Sequence, residues 1–282
     1  MTTLAHPLAM PASLHVLDHV LCAVDGSGCS DEAVREAIVI AHCAARLTFA
    51  TVIGAAAPQD DPSVGLRERR ARQTLERAQS EARSHGIDAH AELVYDDDVA
   101  ASLLVRMDDD GLLVAGHHGN ARIAGAATGS VASALAHRAA GPLLIARAGT
   151  DAHDLPRRIL VAVDDSDAAG PVVRLAGAIA AACHGHVQLV HVQGAHYGAA
   201  TRHRLAELST ELIELTGAEP VVDVLHGRHV AARIAERAAR SGASLLVVGR
   251  RGLTGPRSLG SVSERLVHGA PCSVLVVPQS HA

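Results

Sequence analysis

His19-Val20-Leu21-Cys22-Ala23-Val24-Asp25 is an apolar run that ends in a carboxylate, and Arg158-Ile159-Leu160-Val161-Ala162-Val163-Asp164 repeats it in the second half of the chain. Two further matches follow in the same order. Leu112-Leu113-Val114-Ala115-Gly116 is answered by Leu245-Leu246-Val247-Val248-Gly249, and Pro142-Leu143-Leu144-Ile145 by Pro271-Cys272-Ser273-Val274. Agreement in both order and spacing marks a duplicated unit. Within each copy, short continuous apolar runs alternate with segments of helical period. Continuous hydrophobicity is what a strand covered on both faces requires. The pattern therefore predicts an α/β fold of two tandem domains, each an open five-stranded parallel sheet with helices on both faces. Strands are expected at 19–25, 47–53, 89–95, 112–116 and 143–147, and again at 158–164, 186–192, 220–225, 245–249 and 273–277.

Helix signals fill the gaps. Ser30 reads as an N-cap, with Asp31 and Glu32 in a first turn where the helix dipole favours acid, and Ala33, Val34, Ala37, Ile38 and Ala41 form the buried stripe. A polar, arginine-rich helix is expected near 65–84, a third from Asp98 to about Met107, and a fourth from Ser130 to the helix-ending pair Gly141-Pro142. The polar, proline-punctuated stretch before the second copy divides the chain into a tail 1–17, a first domain 18–148, a linker 149–156 and a second domain 157–282.

Composition narrows the chemistry. A chain of 282 residues that is 48% hydrophobic and 20% charged can bury two cores. All 25 of its Lys+Arg residues are arginine. Without lysine there is no Walker P-loop, no Schiff-base site and no protein-kinase strand lysine. A net charge of -5, with one Phe, two Tyr and no Trp, argues against nucleic acid as a partner. The five cysteines are scattered without paired spacing, and no apolar run approaches the roughly 18 residues of a membrane span, so reduced thiols, a cytoplasmic location and no membrane are expected.

The chemistry sits after the fourth strand. Gly116-His117-His118-Gly119 is followed, after nine intervening residues, by Gly129-Ser130 at the start of a helix. Glycine permits close backbone approach and positive φ, while free N–H groups and a helix N-terminus attract an anion without a charged side chain. A loop at the carboxyl edge of a parallel sheet lies where open α/β folds take ligands. Glycines that only turn the chain are the plainer reading. Recurrence at Gly249-Arg250-Arg251-Gly252 and Gly260-Ser261 favours the anion. Gly26-Ser27-Gly28 lacks the third glycine and the acidic strand end of a nicotinamide site, and no Gly-x-Ser-x-Gly elbow occurs. Neither His184, His186 and His191 nor His226 and His229 has the ligand spacing of a metal site, so no metal is expected. Asp96-Asp97-Asp98 reads as a helix cap and Asp108-Asp109-Asp110 as a turn.

The glycine pattern resembles that of the universal stress proteins, in a tandem arrangement covering nearly the whole chain. That family has a nucleotide-binding α-hydrolase-like fold, with ATP-binding and non-binding members. Its ATP signature of Gly, two residues, Gly, nine residues, Gly and Ser or Thr is met by Gly116, Gly119, Gly129 and Ser130. The resemblance implies ATP with Mg2+ as cofactor, held in the first copy by Ala23, Val24, Asp25, Val52, His118 and Val131 besides the signature residues. In the second copy it implies Asp164, Val192, Gly249, Gly252, Gly260, Ser261 and Val262. Only seven residues, Leu253 to Leu259, separate the glycines of the second loop. A weaker site or a smaller anion is expected there, with Arg250, Arg251 and Arg257 as compensating cations and Asp165 as an opposing charge. The implied function is a nucleotide-dependent stress or dormancy regulator, without catalytic residues. A slow ATPase and a nucleotide-independent structural protein are the alternatives. Partners implied are the two halves for one another, through the last strand of each, and a second copy as a homodimer.

Overall fold

The computed structural model describes residues 17–42, 44–54, 62–107, 111–119, 130–147, 155–166, 168–193, 198–250 and 259–278. In the first copy, strands His19–Ala23 (β1), Leu47–Ile53 (β2), Ala89–Tyr95 (β3), Gly111–Gly116 (β4) and Leu143–Ala146 (β5) alternate with helices Gly28–Ala41 (α1), Pro62–Ser84 (α2), Val99–Val105 (α3) and Ser130–Arg138 (α4). The second copy repeats the order with Arg158–Val163 (β6), Ala169–Cys183 (α5), His186–Gln193 (β7), Ala199–Thr216 (α6), Val221–His226 (β8), Val230–Ser241 (α7), Leu245–Gly249 (β9), Ser261–Gly269 (α8) and Ser273–Val277 (β10). The tail is described only at Leu17 and the linker only at Leu155 and Pro156, while Asp108-Asp109-Asp110 lies outside the described residues. No helix among the described residues is long and apolar enough to cross a membrane.

Among the described residues the strands form one sheet in the order β3-β2-β1-β4-β5-β10-β9-β6-β7-β8. Neighbours are parallel except β5 and β10, which run antiparallel with Leu144 opposite Leu275. Two five-stranded parallel sheets thus meet edge to edge. β1, β4 and β5 of one copy, and β6, β9 and β10 of the other, are buried almost throughout. That burial is why they read as continuous apolar runs. One sheet face packs beneath α1, α2, α5 and α6 around Phe49, Val114, Val161 and Val247. The other packs beneath α3, α4, α7 and α8 around Leu21, Leu113, Leu160 and Leu246.

Two expectations are corrected. The structure pairs Leu113 with Leu143 and Leu246 with Val274, so Leu143 answers Val274 and Pro142 answers Ser273. The sequence match of Pro142 with Pro271 is therefore two residues out of register. A slip of two keeps every side chain on its own face, so hydrophobic pattern cannot detect it. The cap of α1 is Ser27, whose hydroxyl accepts from the Ser30 N–H at 3.2 Å. Ser30 lies inside the first turn, where its Oγ accepts from the Asp25 N–H at 3.1 Å.

The copies differ in how their second helix is seated. α2 rests on β2 and β3, whereas α6 packs chiefly on α5. Aligning Asp25 with Asp164 places Gly177 of α5 opposite Ile38 of α1, and the missing side chain admits α6. A β-carbon at Gly177 would lie 2.8 Å from Leu215 Cδ1 and 3.1 Å from Leu212 Cδ2. Gly177→Ala is expected to destabilise the chain by up to about 2 kcal/mol, because overpacking of ~1–3 kcal/mol is set against a helix-propensity gain near ~1 kcal/mol. Urea midpoints at equal m-values measure this, and a stabilised variant would contradict the close helix packing.

Candidate functional site

β1 stops at Ala23, which leaves Val24 and Asp25 in the turn that enters α1. The Val24 N–H donates to Ala50 O at 2.8 Å, and Thr51 Oγ1 donates to Val24 O at 2.7 Å, so β2 fixes this turn from one side. From the other side, Ser27 Oγ donates to His118 O at 3.3 Å. Asp25 Oδ1 accepts from the Ser27 N–H at 2.9 Å. The other carboxylate oxygen faces the glycine loop, since a β-carbon on Gly119 would lie 2.6 Å from Asp25 Oδ2. An aspartate at one strand end and a glycine at another are thus brought into contact.

Around them lies a cavity of 280 Å3. Ala23, Val24, Val52 and Val131 supply apolar wall, Asp25 and His118 polar groups, and Gly116, Gly119 and Ser130 the rim where β4 leaves the sheet and α4 begins. Gly129 lies outside the described residues. Every other first-copy residue expected at the site therefore lines one cavity. The sequence reading missed Ala50, Val99, Leu103, Ala115 and Ala132 of the apolar wall, and Ser30 among the polar groups. Val99 and Leu103 stand four apart just after Asp98, whose side chain accepts from the Ala101 N–H at 2.9 Å as the cap of α3. A cap followed by an apolar pair at helical spacing was the available signal.

The two histidines of the loop diverge. His118 faces the cavity, whereas His117 is buried, with its N–H donated to Ala146 O at 2.8 Å. Burial, followed by the nearby charges of Arg147, His118 and His268, pushes the His117 imidazole down to about 4, so it is neutral at physiological pH.

The second copy forms a cavity of 210 Å3 lined by Asp164, Gly249, Gly260, Ser261 and Val262, with Val230 and Ile234 where the first has Val99 and Leu103. Gly252 lies outside the described residues. Val192 does not line this cavity but packs, partly buried, against the core of that sheet face. Its neighbour His191 holds Val163 O at 3.1 Å, where Thr51 holds Val24 O in the first copy. Polar wiring differs too. Ser166 spends both its N–H (3.1 Å) and its hydroxyl (2.5 Å) on Asp164 Oδ1, whereas the Ser27 hydroxyl reaches across to His118. Asp165 does not line the second cavity, because the Thr201 hydroxyl of α6 donates to it at 3.1 Å and draws it towards the opposite sheet face. Among the described residues no three His, Cys, Asp or Glu side chains gather as a metal site.

The sequence pattern of the universal stress protein family matches residues 17–147 and again 156–278. Among solved structures, a universal stress protein from Archaeoglobus fulgidus DSM 4304 superposes with a TM-score of 0.76 at 20% identity, covering 95% of this chain and 99% of that one. A protein of Pseudomonas aeruginosa UCBPP-PA14, described as belonging to the same family, gives 0.63 at 16% identity over 94% of this chain and 95% of its own. At these identities the likeness is one of fold. The universal stress protein from Archaeoglobus fulgidus in complex with dAMP matches 43% of this chain and 96% of its own at 26% identity, with a TM-score of 0.35. Comparison with curated proteins gives no match. The doubled family match, spread over both copies of the sheet, establishes that the chain belongs to the universal stress protein family and carries two of its domains in tandem.

Proposed function

We propose that the first domain binds ATP, with Mg2+ carried on its phosphates, and that occupancy changes how the chain meets its partners in a cytoplasmic stress or dormancy response. The observation that supports this is the polarity of the 280 Å3 cavity. An apolar cleft of aliphatic side chains suits the faces of an adenine. Asp25 at its mouth suits the ribose hydroxyls. Gly116, Gly119 and the start of α4 present backbone where phosphates would lie. The approach of Gly119 to Asp25 leaves no room for a side chain there, as a cradle for a ligand backbone requires.

The second pocket is proposed as a weaker site. It is smaller, and one carboxylate oxygen of Asp164 accepts both the N–H and the hydroxyl of Ser166, where the matching oxygen of Asp25 accepts only the N–H of Ser27 and leaves that hydroxyl to brace the glycine loop. Domains at 18–148 and 157–282, joined by 149–156, would then be unequal partners.

The test is calorimetric titration of the purified chain with Mg-ATP, together with mass spectrometry of any nucleotide released on denaturation. One stronger adenine-nucleotide site is expected. Absence of both heat and bound nucleotide would favour a nucleotide-independent structural protein. Turnover of about 1 per second or faster would replace the regulator with an enzyme.

A further inference from the structure

Each helix that opens a candidate pocket is held at its far end by an arginine from the opposite half. α4 begins at Ser130 on the rim of the first pocket, and near its end the carbonyl of His137 accepts a hydrogen bond from Nη2 of Arg250. α8 begins at Ser261 in the second pocket, and its Val267 carbonyl accepts from Nη2 of Arg147. His137 Nε2 and Glu264 Oε1, 3.7 Å apart, add a contact between the two helices.

Arg250 is the more telling of the two arginines because of where its backbone lies. It follows Gly249, the first glycine of the second loop. Its N–H donates to Val277 O at 2.7 Å and its carbonyl accepts from the Gly260 N–H at 2.8 Å. The backbone is therefore tied into the base of the second loop while the buried guanidinium crosses to the first domain. The position corresponding to Arg250 in the first copy is His117, so the arrangement is not a by-product of duplication. A cation on the C-terminal carbonyls of a helix and an anion at its N-terminus reinforce the same dipole. In a nine-residue helix the two ends cannot move independently.

We infer that Arg250 is a positioning residue for the first pocket: through its guanidinium the second loop sets the placement of α4, and with it the affinity of the first pocket for a phosphorylated ligand. This rests on the nucleotide reading above. By linkage, a ligand bound at the second loop and one bound at the first pocket alter each other's affinity by the same factor.

The experiment titrates the full chain with Mg-ATP as wild type, Arg250→Met, Arg250→Lys and Ser273→Ala, and follows amide exchange in α4. Arg250→Met is expected to weaken binding about fivefold or more, the lower end of ordinary site-to-site coupling, and to speed exchange in α4. Arg250→Lys, which keeps the charge, restores part of the affinity. Ser273→Ala loosens the β5·β10 seam elsewhere and leaves the Kd unchanged. Wild-type affinity in Arg250→Met, or equal weakening in Ser273→Ala, would overturn the inference while leaving the nucleotide reading intact. A wild type that binds no nucleotide would overturn both.

Discussion

Gly119→Val is expected to lower adenine-nucleotide affinity at the first pocket by about 100-fold or more, which corresponds to about 2.7 kcal/mol of binding free energy. A β-carbon at this position already lies 2.6 Å from Asp25 Oδ2, and valine adds two methyl groups beyond it. The carboxylate cannot simply swing aside, because its other oxygen is held by the Ser27 N–H at 2.9 Å in the turn that opens α1. The substitution therefore displaces the group proposed for the ribose and fills the space proposed for the phosphates. Gly119 follows the end of β4, outside the packed core, so the fold should survive, with a melting temperature near that of wild type. Calorimetry and circular dichroism on the same samples separate the two effects. Retained affinity in a folded variant would place the nucleotide elsewhere.

The fold was legible because the central strands are buried on both faces and therefore announce themselves as unbroken apolar runs. The first pocket was legible for a different reason. Its glycines are spaced by what the backbone must do, and that spacing survives in the sequence. What escaped was information carried between the copies. Glu36 illustrates this: the inward stripe of α1 was read as Ala33, Val34, Ala37, Ile38 and Ala41, and does not include Glu36. Glu36 is fully buried, because the second copy adds a wall that one copy alone does not predict. The two-residue slip at β10 has the same origin, since only its neighbours in the sheet fix the register. Gly177 likewise looks like an ordinary helical defect until α6 is seen resting on it.

Glu36 also carries the second large prediction. The alignment that pairs Asp25 with Asp164 sets Glu36 opposite Leu175, and the sheet register sets its partner Ser273 opposite Pro142. The positions that carry a polar relay on one side of the seam are thus apolar on the other. The Arg147 N–H donates to Ser273 Oγ at 3.0 Å, and the Ser273 hydroxyl donates to Glu36 Oε1 at 2.5 Å. Oε2 is buried without a hydrogen-bond partner. Burial raises the carboxyl from its ordinary 4.5 to about 8, against the lowering effect of the Ser273 hydrogen bond; Glu32 raises it further and Arg35 lowers it, while the buried thiols of Cys22 and Cys272 lie close enough to feel the charge. Because the folded-state value is the higher one, the native chain holds a proton that the unfolded chain has released between pH 4.5 and about 8. Stability from this group is therefore complete below pH 4.5 and falls as pH rises, reaching its full loss above about 8. At pH 7 the loss is about 3 kcal/mol. Glu36→Gln removes the titration at the cost of burying an amide, about 1–2 kcal/mol. The variant is expected to be more stable than wild type by about 1–2 kcal/mol at pH 7 and by more at pH 9, with the gain gone or reversed near pH 4.5. Urea unfolding of both proteins across that range isolates the difference, since every other titrating group is common to the pair. Parallel pH profiles would mean that Glu36 is charged in the native seam, with the relay built around a carboxylate rather than a neutral acid.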